Sequence, residues 1–315
     1  MMRVVFMGSP DFAVPTLNAL TGSGHEVAGV FTQPDRPKGR SGAAQMTPVA
    51  AAAEASGIPV WKPVKIREPE AAAKVRALAP DVIVVVAFGQ IIPEEILQIP
   101  RYGCVNVHAS LLPAWRGAAP IQWSVISGDA ESGVTTMRMN AGLDTGDIIL
   151  QERTPLAPDE TGGSLFDRLA EMGAKLLLRT LDELEAGTAV FTPQPAESTT
   201  PYAKMLKKET GRIDWSADAA SIERLVRGLS PWPSAWTVLR GKTVKIWSAA
   251  VSGGEESAFA PGAVLPSKGK LLVQTGSGIL EIRELQLEGK KRMAAADFLR
   301  GFSLEEGELL GEGTK

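Results

Sequence analysis

The run Val82-Ile83-Val84-Val85-Val86 constrains the fold more than any other stretch of the chain. Five consecutive branched apolar residues, with no polar residue alternating, read as a strand buried on both faces. Such a strand belongs in a sheet that helices cover on both sides. Strands are predicted at 3–7, 26–32, 81–86 and 104–107. Helical patterns fall between them at 15–20, 48–56 and 69–78, stopped by Gly22-Ser23-Gly24, Gly57 and Pro80. This alternation predicts an α/β domain with a doubly wound, mostly parallel sheet. Strands at 133–139 and 147–152 and an amphipathic helix near 164–185, ended by Gly187, complete it.

From 190 to 202 the chain turns rich in Thr, Pro and Glu, as a surface linker does. One helix follows at 216–228. Short strands come next, at 236–239, 243–247, 262–265, 271–275 and 279–287, joined by Gly-containing turns. Without crossover helices they predict a small antiparallel barrel. A helix at 294–302 precedes a Gly/Glu tail expected to fray. The expected division is an α/β domain at 1–189, a linker at 190–204 and a second domain at 205–315.

With 44% apolar and 22% charged residues, a disordered, collagen-like or coiled-coil chain is excluded. The net charge of −3 hides an asymmetry: residues 1–202 carry 16 Lys/Arg against 22 Asp/Glu, and residues 203–292 carry 15 against 9. A basic back half points to a polyanionic partner. The single cysteine, Cys104, excludes an intramolecular disulfide and reads as strand packing. The first eleven residues lack the apolar run of a signal peptide, and no greasy stretch approaches a membrane span. A cytoplasmic protein with no membrane association is expected.

The first strand-to-helix turn, Gly8-Ser9-Pro10-Asp11-Phe12, has one glycine and a proline without an N–H, which argues against a dinucleotide fingerprint. One cysteine and two distant histidines supply no zinc ligand set, so no metal is expected. His25 reads as a helix-end or surface residue. In Asn106-Val107-His108, residues i and i+2 share a face at the carboxyl end of a strand, where open α/β sheets bind ligands. An amide and an imidazole there offer a donor for a developing oxyanion and a proton acceptor near neutrality. A buried histidine bonded to backbone is the alternative. Gly142-Leu143-Asp144-Thr145-Gly146-Asp147 brackets two carboxylates. Asp147 reads as a turn residue, and Asp144, if close to His108, would orient and charge it.

The stretch Asn106-Val107-His108-Ala109-Ser110-Leu111-Leu112-Pro113, followed by Arg116-Gly117 and by Gly142 to Asp147, resembles the folate-dependent formyltransferases. Gln33 to Arg40, Gly117 to Gln122, Arg212-Ile213-Asp214-Trp215, Pro231-Trp232-Pro233 and Gly289-Lys290-Lys291 extend the resemblance over nearly the whole chain. They point to the branch of the family that acts on tRNA. The resemblance implies a Rossmann-like catalytic domain and an OB-like barrel. It implies transfer of a formyl group from 10-formyltetrahydrofolate to the methionine amino group of initiator methionyl-tRNA, by a monomer. His108 would act as base, Asn106 as donor to the carbonyl oxygen, and Asp144 would hold and charge His108. The folate would lie against Phe88, Gly89, Gln90 and Ile91, with Ser110, Leu111, Leu112 and Pro113 lining the same cleft.

Arg36, Lys38 and Arg40 stand in a loop at 33–46, where spaced basic residues suit phosphate and base-edge contacts, so an arm that orders on tRNA is expected. Lys204, Lys207, Lys208 and Arg212 at the linker exit would add phosphate contacts. Ala50 and Ala114 replace residues that are commonly basic in the family, which reduces positive charge toward an acceptor stem. Two other readings are open. A formyltransferase acting on a small amine would need only the first 190 residues and leaves the basic half unexplained. A tRNA-binding protein without catalysis leaves Asn106, His108 and Asp144 unexplained.

Overall fold

The computed structural model describes residues 1–37, 44–253, 258–265 and 267–311. β1 (Arg3–Gly8) leads through α1 (Val14–Thr21) to β2 (Glu26–Phe31), parallel to it. A two-stranded hairpin, β3 (Arg36–Pro37) with β4 (Ala44–Gln45), precedes α2 (Pro48–Ala55). Pro48 opens α2, and the Thr47 side chain accepts from the Ala50 N–H, so the helix start is set by its own sequence. The short edge strand β5 (Val60–Trp61) and α3 (Pro69–Ala77) follow, and β6 (Val82–Val86) returns to the opposite side of β1. After α4 (Glu94–Leu97), β7 (Cys104–His108) pairs parallel to β6. α5 (Pro120–Ser127) then leads to β8 (Glu131–Arg138) and β9 (Ile148–Pro155), which extend the sheet antiparallel. The strand order is β5-β2-β1-β6-β7-β8-β9.

Every residue of β6 and β7 is buried, as the unbroken apolar run of β6 requires. The chain leaves β1 toward β2 on one side and enters β6 on the other. The carboxyl ends of β1 and β6 therefore flank the crevice where doubly wound sheets bind ligands. The long helix α6 (Gly162–Ala186) follows β9.

The chain forms two compact units. The first comprises Met1–Pro120, Glu131–Pro155 and Phe166–Ala203; the second comprises Ile121–Ala130, Leu156–Leu165 and Lys204–Lys315. Two short segments of the first 189 residues thus belong to the second unit. The stretch at 190–203, expected to be a surface linker, lies on the first unit as a strap. Thr192 exchanges backbone hydrogen bonds with Ile148, and Ala203 pairs with Gly117. Its polar side chains and free carbonyls bond loops, so it shows neither helical nor strand periodicity.

In the second unit, α7 (Ala219–Gly228) begins at Asp218, whose side chain accepts from the Ser221 N–H. The strands are β10 (Ala235–Leu239), β11 (Lys242–Ser252), β12 (Val264–Leu265), β13 (Leu271–Gln274), β14 (Ile279–Leu287) and β15 (Met293–Ala294), followed by α8 (Ala295–Gly301). They form an antiparallel sheet in the order β10-β11-β14-β13-β12, with β15 on β14. Alternate residues of β10 face a core of Ile213, Trp215, Ile222, Val226, Ile246, Leu285, Phe298 and Leu310.

The expected fraying of the tail is not what the structure shows for residues up to 311. Val264 N–H donates to the Glu308 carbonyl, Gly307 N–H to the Val264 carbonyl and Leu310 N–H to the Gly262 carbonyl. On the other side, Gly311 N–H donates to the Val238 carbonyl. The tail spans the gap between the end strands β12 and β10. Leu310 fills the core at 5% exposure, and Arg240 grips Glu308 at 2.7 and 2.8 Å. Burial of one leucine and satisfaction of two strand edges outweigh the glycine content that suggested disorder.

Candidate active site

The carboxyl end of β7 delivers Asn106 and His108 on one face, two residues apart, at 9% and 6% exposure. The Asn106 carboxamide makes no hydrogen bond among the described residues, so its N–H groups remain available to a ligand. His108 Nε2 lies 3.0 Å from the Trp115 carbonyl oxygen, and Nδ1 lies 3.7 Å from Asp144 Oδ1. Spacing alone did not join Asp144 to His108; the turn between β8 and β9 does. Asp144 holds φ at +53°, a left-handed conformation that aspartate tolerates better than most residues, and its Oδ2 accepts from the Gly117 N–H at 2.9 Å. Oδ1 thereby remains turned to the imidazole.

The segment from Ser110 to Pro113 is fastened from behind. Thr135 on β8 donates to the Ser110 carbonyl at 2.6 Å and accepts from the Leu112 N–H at 3.1 Å. Gln151 on β9 donates to the Leu112 carbonyl at 2.9 Å. Ser110 is buried and spends its hydroxyl on the Ala114 carbonyl. Leu111 and Pro113 are partly exposed, and Leu112 is buried.

At the crevice between β1 and β6, Ser9 Oγ donates to the Phe88 carbonyl at 3.1 Å and accepts from the Gln33 N–H at 3.1 Å. Gln33 Nε2 donates to the same carbonyl at 3.2 Å. The Phe88 ring is core, and Gln90 spends its amide on the Ile66 N–H and the Pro63 carbonyl. What these residues leave open is backbone. The N–H groups of Gly89, Gln90 and Ile91 donate to nothing among the described residues, beside exposed Gly89 (φ +81°) and Ile91. A planar ring with hydrogen-bonding edges fits such a strip. Gly8 has a packing reason rather than a phosphate one: a Cβ there would stand 2.9 Å from Ala13 Cβ and from the Val86 carbonyl.

Residues 2–181 match the formyl transferase family model, and residues 205–303 match the formyl transferase C-terminal domain. The chain belongs to the formyl transferase family. It is 56% identical over 307 residues to the methionyl-tRNA formyltransferase of Agathobacter rectalis, covering 97% of this chain and 98% of that one. The fold is that of the N-formyltransferase of Helicobacter canadensis, solved with folinic acid and dTDP-3-aminofucose (TM-score 0.67, 16% identity, 90% and 99% of the two chains). HypX of Aquifex aeolicus, solved with tetrahydrofolic acid, gives a TM-score of 0.62 at 21% identity over 95% of this chain, which spans about half of HypX.

The remaining expected residues of this formyl transferase are placed as follows. Arg36 is exposed on the β3 hairpin, with Nη2 3.4 Å from Gln33 Oε1; Lys38 and Arg40 lie outside the described residues. Lys204, Lys207, Lys208 and Arg212 are all exposed in the second unit. Ala50 is wholly buried, so α2 presents no side chain to solvent there. Cys104 is core, and burial pushes its thiol up to about 12. Among the described residues no helix is long and apolar enough to cross a membrane. Ser9, Gln33, Thr135 and the Trp115 carbonyl escaped sequence reasoning. Ser9 and Gln33, each next to a strand end that faces the crevice, carried a signal that could have found them; the Trp115 carbonyl carried none.

Proposed function

We propose that this formyl transferase moves a formyl group from 10-formyltetrahydrofolate to the amino group of methionine on initiator methionyl-tRNA, in the cytoplasm. The observation that carries this reading is 56% identity to a methionyl-tRNA formyltransferase in an alignment that covers 97% of the chain, both units included. The exposed basic residues at the entry to the second unit support a tRNA partner.

The folate supplies the formyl group, and its ring fits the amide strip at 89–91. His108 takes the proton of the attacking amine. The Trp115 carbonyl accepts from Nε2, which leaves Nδ1 as the atom with the lone pair, and the Asp144 carboxylate stands 3.7 Å from it. Asn106 donates to the formyl oxygen as charge builds there. The same N–H groups are unbonded beforehand, so they cost little reorganisation. The amine nitrogen bonds to the formyl carbon, the bond from that carbon to folate N10 breaks, and N10 leaves as an amine that takes up a proton, so no covalent bond to the protein is needed. Arg36, Lys38 and Arg40, together with Lys204, Lys207, Lys208 and Arg212, contact tRNA phosphates.

The test is labelled formyl transfer from 10-formyltetrahydrofolate, offered in parallel to charged initiator tRNA, glycinamide ribonucleotide and an amino-sugar nucleotide. Transfer to tRNA alone is expected. Transfer only to a small amine overturns the substrate assignment. Tight tRNA binding without transfer to any of the three overturns the catalytic one.

A further inference from the structure

The strap at 190–203 does more than connect. We infer that Gln194 is a positioning residue for the formyl transfer: its carboxamide couples the Asp144 turn to the Arg116 guanidinium and so fixes the Asp144 carboxylate against His108. The inference rests on the proposed reaction for its assay and goes beyond it in assigning a role to a residue outside the Asn106, His108 and Asp144 set.

Gln194 Nε2 donates to the Asp144 carbonyl at 3.0 Å and to the Gly146 carbonyl at 2.7 Å. Its Oε1 accepts from Arg116 Nε at 3.2 Å and Nη2 at 2.9 Å. Two donors and two acceptor sites are the whole capacity of a carboxamide, and all are used. Arg116 is 7% exposed, and among the described residues no carboxylate forms an ion pair with it. Its further partners are the Pro195 and Ala196 carbonyls, at 2.8 and 3.1 Å. A buried cation held only by dipoles needs each of them in place. The strap provides all of these dipoles.

The segment 115–117 shows why this matters to the chemistry. Its first residue puts a carbonyl on His108 Nε2, and its last puts an N–H on Asp144 Oδ2. The side chain between them is the one Gln194 holds. Trp115 itself sits at φ +57°, with its N–H donating to Thr200 of the strap at 2.6 Å. Two left-handed non-glycine residues, Trp115 and Asp144, thus face the same histidine, and each is tied by the strap. Such conformations persist where the surroundings over-determine them. Gln194 touches no reacting atom; joined to Arg116 on one side and to the turn on the other, it acts through Asp144.

The replacement Gln194→Glu keeps acceptors for Arg116 but removes both donors, setting carboxylate oxygens against two carbonyls. Gln194→Met removes both functions. Single-turnover rates at saturating substrates are measured for each in the full chain, alone and combined with Asp144→Asn. Expected is a loss of about ten- to a hundredfold in rate for Gln194→Glu, since a misplacement near 1 Å costs on that order. The KM values for folate and amine should stay within about twofold, as should the folded fraction. In the Asp144→Asn background the further loss should fall below about twofold, because the positioned group is gone. An unaltered rate in Gln194→Glu overturns the inference, and so does an undiminished loss in the Asp144→Asn background. Should Gln194→Met fail to fold, Gln194→Glu carries the comparison alone. Failure of the wild type on tRNA would overturn the substrate reading only; the same cycle is then run with whichever amine the wild type formylates.

Discussion

The Trp115 carbonyl oxygen stands 3.0 Å from Nε2 of His108. A carbonyl can only accept, so in the neutral ring Nε2 carries the hydrogen and Nδ1 the lone pair. In Ser-His-Asp triads a carboxylate takes the imidazole N–H, and the opposite nitrogen does the work. Here a main-chain carbonyl takes the N–H, and the carboxylate waits at the basic nitrogen, 3.7 Å away.

That arrangement sets the tautomer. In the full chain with labelled histidine, the nitrogen-15 shifts of neutral His108 should show a protonated Nε2 and a bare Nδ1. The opposite pattern would mean that the Trp115 carbonyl does not bind the ring in solution.

Removing the reacting groups should lower single-turnover rates unequally. His108→Ala is expected to cost roughly 10²–10⁴, the range of a positioned acid–base group. Asn106→Ala should cost roughly 10²–10³, the range of one oxyanion donor. Near-normal rates at saturating substrates would remove either residue from the mechanism.

The two carboxylates of the β8–β9 turn should differ sharply. Asp144→Asn keeps the left-handed backbone and loses the charge, so the rate should fall by about tenfold or more while the melting temperature holds. Asp147 is bound at 2.7 Å to Arg138 on a half-exposed surface, a pair worth about 1 kcal/mol at most. Asp147→Asn should leave the rate within about twofold. Equal effects would show that the turn responds as a unit and not through one charge.

Cys104 should be inert in the folded chain. Burial pushes its thiol up to about 12, so almost none is thiolate at pH 8. A thiol-exchange reagent should titrate no group in the native protein and one in guanidinium chloride. Rapid labelling without denaturant would show that β7 opens locally.

The tail carries a pH-dependent contribution. The hydrogen bond from the Arg240 side chain holds the Glu308 carboxyl below its ordinary 4.5. A lowered value means stability that is complete above 4.5 and lost as pH falls through the lowered value. Glu308→Gln should therefore be less stable than the wild type at pH 7, with the gap closing below 4.5. Denaturant midpoints at several pH values test it; a gap independent of pH would assign the effect to packing.

Much of this molecule was legible in its sequence, for physical reasons. The β6 run announced a two-sided sheet because no polar residue interrupts it, and the spacing of Asn106 and His108 announced that they share a face at a strand end. Four things were hidden. The pairing of Asp144 with His108 depends on a turn after an antiparallel strand, which spacing does not encode. Main-chain groups, such as the Trp115 carbonyl and the amides at 89–91, have no side-chain signature. The strap at 190–203 is held by irregular hydrogen bonds of Gln194, Ser198 and Thr200, so composition made it look like a linker. Glycine content likewise hid the order of residues 305–311.

The last of these bears on how the chain is made. The segment that caps both β10 and β12 follows every other element of its unit in the sequence. During synthesis, all the other strands can pair before it leaves the ribosome, and until then the β12 edge and the part of the β10 edge beyond its hydrogen bond from Ile213 stand open, ready to bond to a neighbouring nascent chain. The second unit is therefore sealed by residues 307–311, and a chain without them is an adhesive product.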